Sequence, residues 1–168
     1  MAAIEVRRAD PDDWPSVRAV RLRALQDAPD AFGSTFRSEA DEDDDRWRSW
    51  MTGWDGATDQ ALFVAVESEA WIGIALGVRW RGERDSTHVY SMWVDPDHRR
   101  RGAGRALIDA VASWARSMPD VRRILLAATV SNPEAIALYE ACGFADTGER
   151  TPLREGAEIF TMLMERSL

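Results

Sequence analysis

The chain has 168 residues, the size of one typical domain, and we expect a single domain over residues 1–168. Its 45% hydrophobic content excludes a disordered chain, and its apolar runs fall short of the roughly 20 residues that a membrane-spanning helix needs. The net charge of −8 argues against a nucleic-acid partner, because domains that bind nucleic acids usually present a basic face. No secretory signal is visible near residue 1 and Cys142 is the sole cysteine, so we expect a soluble, cytoplasmic protein without a disulfide or a metal.

Hydrophobic patterns predict one strand, two helices and three further strands in the first half of the chain. Asp12 or Asp13 caps the first helix, which ends before Pro29. The acidic run Asp41 to Asp45 is interpreted as the solvated N-terminal end of the second helix. The predicted strands cover residues 3–8, 61–67, 71–80 and 87–94, and the second helix covers residues 39–54.

The second half of the chain predicts a parallel strand pair that flanks a helix. Apolar residues from Ala103 to Met118 recur at steps of three and four, which is typical of a helix that packs on a sheet. Ile124 to Val130 is continuously apolar, as expected of a strand that is buried on both faces and pairs in parallel. A helix over 133–142 and strands over 145–150 and 158–164 complete an α/β (α+β) order, β-α-α-β-β-β-α-β-α-β-β.

The turn that follows the strand ending at Val94 has the composition of an anion site. The strand breaks at Asp95-Pro96, and the chain enters the next helix through Gly102-Ala103-Gly104. Glycines let backbone N–H groups approach a ligand, and the helix N-terminus adds unpaired donors and the positive end of its dipole. The segment lacks the Lys-Ser/Thr ending of a Walker A loop and the third glycine and downstream acid of the dinucleotide fingerprint, so neither of those loops fits. A diphosphate is the expected ligand.

Two motifs resemble those of the GNAT superfamily, the acyl-CoA-dependent N-acetyltransferases. Arg99-Arg100-Arg101-Gly102-Ala103-Gly104, after Val94-Asp95-Pro96, resembles motif A, and Asn132 to Phe144 (NPEAIALYEACGF) resembles motif B. Both motifs stand in the usual order and spacing. The resemblance implies the GNAT fold, a central mixed, mostly antiparallel twisted sheet with a splayed parallel pair, flanked by about four helices.

The resemblance implies transfer of an acetyl group from acetyl-CoA to a primary amine by direct attack in a ternary complex. A non-catalytic acyl-CoA-binding module is the alternative, and transfer to a hydroxyl or of a longer acyl chain also stays open. The acceptor is a small molecule or a peptide, and a homodimer is a further expectation. We expect the side chain of Arg100, where many relatives have glycine, to point outward. The implied acetyl-CoA-binding residues are Met92, Trp93, Val94, Arg99, Arg101, Gly102, Ala103, Gly104, Arg105, Asn132 and Ala135.

Two residues are implied to move protons. Tyr139 matches the motif B tyrosine that protonates the departing CoA thiolate in this family, and its alternative role is that of a core aromatic. His88 stands where some members carry a glutamate base, and histidine loses its proton near neutral pH. Strand alternation predicts that His88 faces the same side as Tyr90, Met92 and Val94. A structural histidine, with water as the base, is an equal alternative.

The acceptor pocket of this fold generally involves the first two helices and the loop between them. This placement nominates Phe36 and Glu39, together with Phe32 and Trp93. Aromatic rings there could pack the acceptor body and Glu39 could hold its cation, whereas ordinary packing and capping are the alternatives. Cys142 is interpreted as a small buried hydrophobe rather than a nucleophile, because no adjacent residue activates it.

Overall fold

A computed structural model describes residues 2–168, and one seven-stranded sheet forms its centre. The strands are β1 (Glu5–Arg8), β2 (Ala57–Glu67), β3 (Ala70–Trp80), β4 (Ser86–Val94), β5 (Arg123–Thr129), β6 (Ala145–Pro152) and β7 (Phe160–Ser167). They lie in the order β1-β2-β3-β4-β5-β7-β6, and only the β4–β5 pair is parallel among residues 2–168. The predicted mixed, mostly antiparallel sheet is therefore confirmed.

Five helices accompany the sheet in the described part of the chain. They are α1 (Trp14–Asp27), α2 (Phe36–Ala40), α3 (Asp44–Thr52), α4 (Ala103–Arg116) and α5 (Pro133–Ala141). Within residues 2–168, no helix combines the length and the apolar character that crossing a membrane requires.

The single helix predicted over residues 39–54 is wrong, because two helix N-termini interrupt that stretch. The Thr35 hydroxyl accepts a hydrogen bond from the Ser38 N–H and starts α2 before the predicted position. The Asp43 carboxylate then accepts a hydrogen bond of 2.9 Å from the Arg46 N–H and starts α3. Each cap satisfies an otherwise unpaired backbone donor, so the acidic run caps a second, separate helix.

The helices divide between the two faces of the sheet and bury two cores. On one face, α1 and α3 pack on the central strands through side chains that include Leu25, Trp47 and Leu76. On the other face, the apolar stripe of α4 packs on β2, β3 and β4 through side chains that include Leu107 and Val111. The predicted role of α4 as a sheet-packing helix is confirmed.

The parallel strands β4 and β5 separate before they end. The paired residues run from Ser86 with Arg123 to Val89 with Leu126. Beyond these residues, β4 and β5 are no longer paired with each other. Ala127 is exposed although β5 is a central strand. Unpaired backbone N–H and C=O groups need hydrogen-bond partners. An extended ligand can therefore bind between β4 and β5 in the way that an added strand would.

A β-bulge at Ser91 reverses the facing of the end of β4. Tyr90 pairs with Leu76 and Trp93 pairs with Ile74, so β4 carries one extra residue, and Ser91 adopts a φ of +55°. Tyr90 and Trp93 consequently pack in the α1–α3 core, whereas Met92 and Val94 pack in the α4 core. The prediction that His88 and Tyr90 face the same side as Met92 and Val94 is wrong, because one inserted residue inverts the alternation.

Candidate active site

A cleft of about 700 Å³ opens between the N-terminus of α4, α5 and the end of β4, and we call it the α4–α5 cleft. Nine of the eleven residues assigned to acetyl-CoA line it, and Arg101 and Ala103 are the exceptions. The nine are Met92, Trp93, Val94, Arg99, Gly102, Gly104, Arg105, Asn132 and Ala135.

The N-terminus of α4 presents unpaired backbone donors at this cleft. Gly102 is the N-cap with a φ of +89°, a left-handed conformation that glycine adopts without strain. The first helical bond runs from the Ala106 N–H to the Gly102 carbonyl at 3.0 Å. The N–H groups of Ala103, Gly104 and Arg105 precede that bond, and together with the helix dipole they favour an anion.

Among the arginines of motif A, Arg99 lines the cleft and Arg100 is exposed, as predicted, whereas Arg101 lies differently from the prediction. Arg100 lines the cleft and adopts a φ of +61°. This left-handed conformation is uncommon for residues other than glycine, which explains why glycine suits this position. The Arg101 guanidinium instead forms an ion pair with Glu67, including a 2.9 Å hydrogen bond, so it is held away from the cleft. Ala103 is 2% exposed and its side chain packs in the α4 core.

Three further hydrogen bonds fix the end of β4, and two of them join it to Asp27 of α1. Arg99 donates from Nε to the Val94 carbonyl at 2.9 Å and from Nη2 to Asp27 at 2.7 Å. The Trp93 indole Nε1 donates to the same Asp27 carboxylate at 2.9 Å. Asp27, which sequence reasoning missed, therefore fixes two residues of the cleft from an element far away in the chain.

The helix α5 carries the motif B residues into the cleft. The Asn132 Oδ1 accepts a hydrogen bond of 3.1 Å from the Ala135 N–H, which confirms the predicted cap and leaves the Asn132 amide group for a ligand. Tyr139 is 8% exposed and packs edge-on against Phe144 with ring centroids 6.1 Å apart. Burial, with a smaller contribution from Cys142, raises the pKa of Tyr139 well above its ordinary value. Its hydroxyl therefore stays protonated at neutral pH.

A second cleft of about 480 Å³ lies between α2, α3 and residues 88–92 of β4, and we call it the α2–β4 cleft. It shares four lining residues with the α4–α5 cleft, namely Ala31, Phe32, Met92 and Tyr139. The two clefts therefore meet at Tyr139, where the strands β4 and β5 have separated.

His88 lines the α2–β4 cleft and has a carboxylate partner that sequence reasoning missed. Its Nε2 lies 2.6 Å from Oε2 of Glu83, and its ring stacks on Tyr90 with centroids 5.9 Å apart. Partial burial raises the pKa of Glu83, but the His88 hydrogen bond and charge, with smaller contributions from Ser86 and Arg123, outweigh it and leave that pKa lowered. Glu83 lies in the β3–β4 turn, where no sequence pattern marks it.

The residues predicted to bind the acceptor do not all lie at the α2–β4 cleft. Glu39 lines the α2–β4 cleft but is 7% exposed, and its two oxygens accept hydrogen bonds of 2.9 and 2.8 Å from Arg21 and another from Ser34. Phe32 lines both clefts, whereas Phe36 is 38% exposed and lines neither. Glu39 is thus neutralised by Arg21, and the structure does not bring Phe36 to the site.

Cys142 is separate from both clefts. It is 5% exposed, it is a free thiol, and burial raises its pKa. A buried thiol with a raised pKa is a poor nucleophile, in agreement with its interpretation as a core residue.

Comparison with known proteins defines the class. The acetyltransferase (GNAT) family model matches residues 22–144, so the chain belongs to the GNAT acetyltransferase family. The predicted resemblance and the predicted fold are confirmed, and the family is one of acetyltransferases, the predicted class of enzyme.

Individual relatives differ in how much of their length is matched. The L-amino acid N-acetyltransferase of Escherichia coli is 23% identical over 168 residues, 99% of each chain. The spermidine N(1)-acetyltransferase of Vibrio cholerae is 32% identical over 59 residues, 35% of this chain and 34% of that one. The match thus spans about a third of that relative. An acetyltransferase structure from Salmonella typhimurium with its cofactor acetyl-CoA has a TM-score of 0.79 at 21% identity, over 99% of this chain and 95% of that one.

Proposed function

We propose that this protein transfers the acetyl group of acetyl-CoA to a primary amine by direct attack within a ternary complex. The observation that carries the proposal is the meeting of the two clefts at Tyr139. Direct transfer requires both substrates at one point, and proximity of that kind supplies a large part of the catalytic effect. Cys142 lines neither cleft, so an acyl-enzyme on this thiol has no support.

The residues of the α4–α5 cleft suit the acyl donor. The helix N-terminus and the guanidinium groups of Arg99, Arg100 and Arg105 complement a diphosphate. The backbone of β4 beyond Val89, which has no β5 partner, suits the amide groups of a pantetheine arm. The donor supplies an activated thioester, whose carbonyl carbon the acceptor amine attacks as the C–S bond breaks.

Two protons move in this reaction. An alkylammonium group has an ordinary pKa of about 10.4, so the acceptor must lose a proton before or during the attack. We assign that proton to His88, directly or through water, with Glu83 holding the imidazole in place. Tyr139 donates its hydroxyl proton to the leaving thiolate and regains a proton from solvent.

The test is a panel of amines with acetyl-CoA, read by release of the CoA thiol and by the mass of the acetylated product. We expect stoichiometric thiol and acetylated amine for at least one primary amine. Binding of acetyl-CoA without product from any amine would contradict the proposal and favour the non-catalytic acyl-CoA-binding module.

We further propose that residues 1–168 form one domain, because a single sheet joins β1 to β7. We also propose that the protein acts in the cytoplasm, where the free thiol of Cys142 stays reduced.

A homodimer through β6 is also proposed. All eight residues of this edge strand are exposed, and the exposed Val130 and Phe160 lie at the end of the neighbouring strands. Light scattering after size exclusion tests the dimer, and a monomer mass would contradict it.

A further inference from the structure

Aromatic rings form the wall of the α2–β4 cleft, where the acceptor would lie. Phe32, Trp50, Trp54 and Tyr90 line this cleft. Trp54 packs edge-on against Trp50 at 5.2 Å and lies 5.9 Å from Tyr90, measured between ring centroids. Trp80 donates from Nε1 to the Tyr90 hydroxyl at 3.0 Å and fixes the orientation of that ring. The wall is therefore built before a ligand binds, which lowers the entropic cost of packing an apolar group on it.

The charges that line the cleft are already paired. Its two carboxylates are Glu39, held by Arg21, and Glu42, which lies 3.3 Å from Arg46. The Arg46 guanidinium also lies 5.6 Å from the Trp54 ring centroid, so Arg46 is held by the aromatic ring as well as by Glu42. An acceptor with a second ammonium group would have to displace an arginine from its carboxylate. The balance of charge favours an acceptor whose body is neutral.

The volume of the cleft favours a small acceptor. About 480 Å³ falls within the range of roughly 300 to 1,000 Å³ that small-molecule sites occupy. An amine with an aromatic or bulky apolar body fills such a site by burying its apolar surface against the rings.

We propose, on the basis of the acetyl transfer inferred above, that the natural acceptor is a small monoamine with an aromatic or bulky apolar body, of the arylalkylamine kind. The body packs on Trp54 and Tyr90, and the amine extends towards Tyr139, where the two clefts meet.

Matched acceptors test this assignment at a fixed concentration of acetyl-CoA. Phenethylamine, phenylalanine and spermidine share a primary amine, but the second adds a carboxylate and the third replaces the ring with further cations. We expect kcat/KM for phenethylamine to exceed the other two values by roughly ten- to a hundredfold. A preference for spermidine or phenylalanine would overturn this inference and leave acetyl transfer standing. Acetylation of none of the three would overturn this inference, and acetyl transfer itself would be overturned only if every other amine of the panel also failed in a protein that binds acetyl-CoA.

The ring of Trp54 provides the matching variants. Trp54→Ala should raise the KM for phenethylamine about tenfold or more with an unchanged Kd for acetyl-CoA, because it removes a large apolar contact. Trp54→Phe should restore most of the affinity, and Trp71→Ala, which lines neither cleft, is the control for loss of a tryptophan. An unchanged KM in folded Trp54→Ala overturns the packing assignment.

The dependence of KM on salt tests the same point without a variant. A neutral body held by apolar contacts predicts a KM for phenethylamine that changes less than about twofold between roughly 0.05 and 0.5 M NaCl, because salt screens exposed charges. A KM that rises steeply with salt would show that charge pairing binds the acceptor, and would overturn the inference.

Discussion

The two tyrosines of the chain occupy different environments. Tyr139 is buried and lines both clefts, and burial raises its pKa, so its hydroxyl keeps its proton at neutral pH. Tyr90 is half-buried, lines the α2–β4 cleft, and accepts a hydrogen bond from Trp80. The chain thus offers a matched pair in which each hydroxyl can be removed while the ring stays.

Tyr139→Phe should lower turnover by about 10² to 10⁴ with little change in the Kd for acetyl-CoA, because only the proton transfer to the thiolate is lost. Single-turnover kinetics and calorimetry measure the two quantities. Tyr90→Phe should cost less than about tenfold in the same assay. Full turnover in folded Tyr139→Phe would assign this ring to the core and leave water as the proton donor.

The Glu83–His88 contact predicts a positioning role for Glu83. Its carboxylate lies 2.6 Å from His88 Nε2 and fixes the orientation of the imidazole, and a neutral amide in its place holds the ring less firmly. In Glu83→Gln, kcat should therefore fall by about tenfold with an unchanged Kd for acetyl-CoA. Glu69→Gln, in the exposed β2–β3 turn, is the control. An unchanged kcat in Glu83→Gln and also in His88→Gln would exclude His88 as the base.

At the scale of the elements, the helices α4 and α5 must lie close together for the α4–α5 cleft to form. Gly104, in the first turn of α4, makes this possible because a Cβ built there would lie 2.9 Å from Leu138 Cδ2 and 3.4 Å from Met92 Cε. Leu138 belongs to the same helix as Tyr139. Gly104 therefore sets the distance between the start of α4 and the helix that carries Tyr139.

Gly104→Val should raise the Kd for acetyl-CoA by roughly ten- to a hundredfold, because overpacking against the side chains of Leu138 and Met92 costs about 1–3 kcal/mol and the added side chain lies at the α4–α5 cleft that Gly104 lines. Calorimetry measures the Kd. Ala110→Val, in the same helix and outside both clefts, controls for the weaker helix propensity of valine. Equal affinities in the two variants would contradict the assignment of this turn.

At the scale of the whole molecule, several ion pairs hold carboxylates in the charged form. Hydrogen bonds from arginine lower the pKa of three carboxylates, with Arg7 acting on Asp13, Arg101 on Glu67 and Arg150 on Asp146, whose pKa falls to about 2. A lowered folded-state pKa stabilises the fold above the unfolded value of about 4 and loses that effect as the pH falls towards the folded value.

The Tm should therefore be nearly constant above about pH 5 and should fall steadily between about pH 4.5 and 2. Calorimetric scans across this range measure it. Asp13→Asn should lower the Tm at pH 7 and make the acid decline shallower, whereas Asp55→Asn, at an exposed position, should do neither. A Tm that rises on acidification would contradict this origin of acid instability.

Local patterns in the sequence predicted most of the fold and much of the candidate site. The order of the seven strands, the sheet-packing stripe of α4 and the Asn132 cap were all predicted, because each depends on residues within a few turns or one strand, whereas the division of residues 39–54 between α2 and α3 was not. Motifs A and B led to the family for the same reason, since a glycine turn and a helix start are short, contiguous structures.

Tertiary structure alone decided the contacts between distant segments. The bulge at Ser91 depends on the register of β4 against β3, and it reverses which side chains face each core. Arg101 pairs with Glu67, which lies 34 positions away in the sequence. This long-range ion pair, which no local pattern predicts, holds the Arg101 guanidinium away from the cleft. The meeting of the two clefts at Tyr139 likewise requires β4 and β5 to separate after Val89, and the spacing of residues along one chain does not encode such three-dimensional proximity.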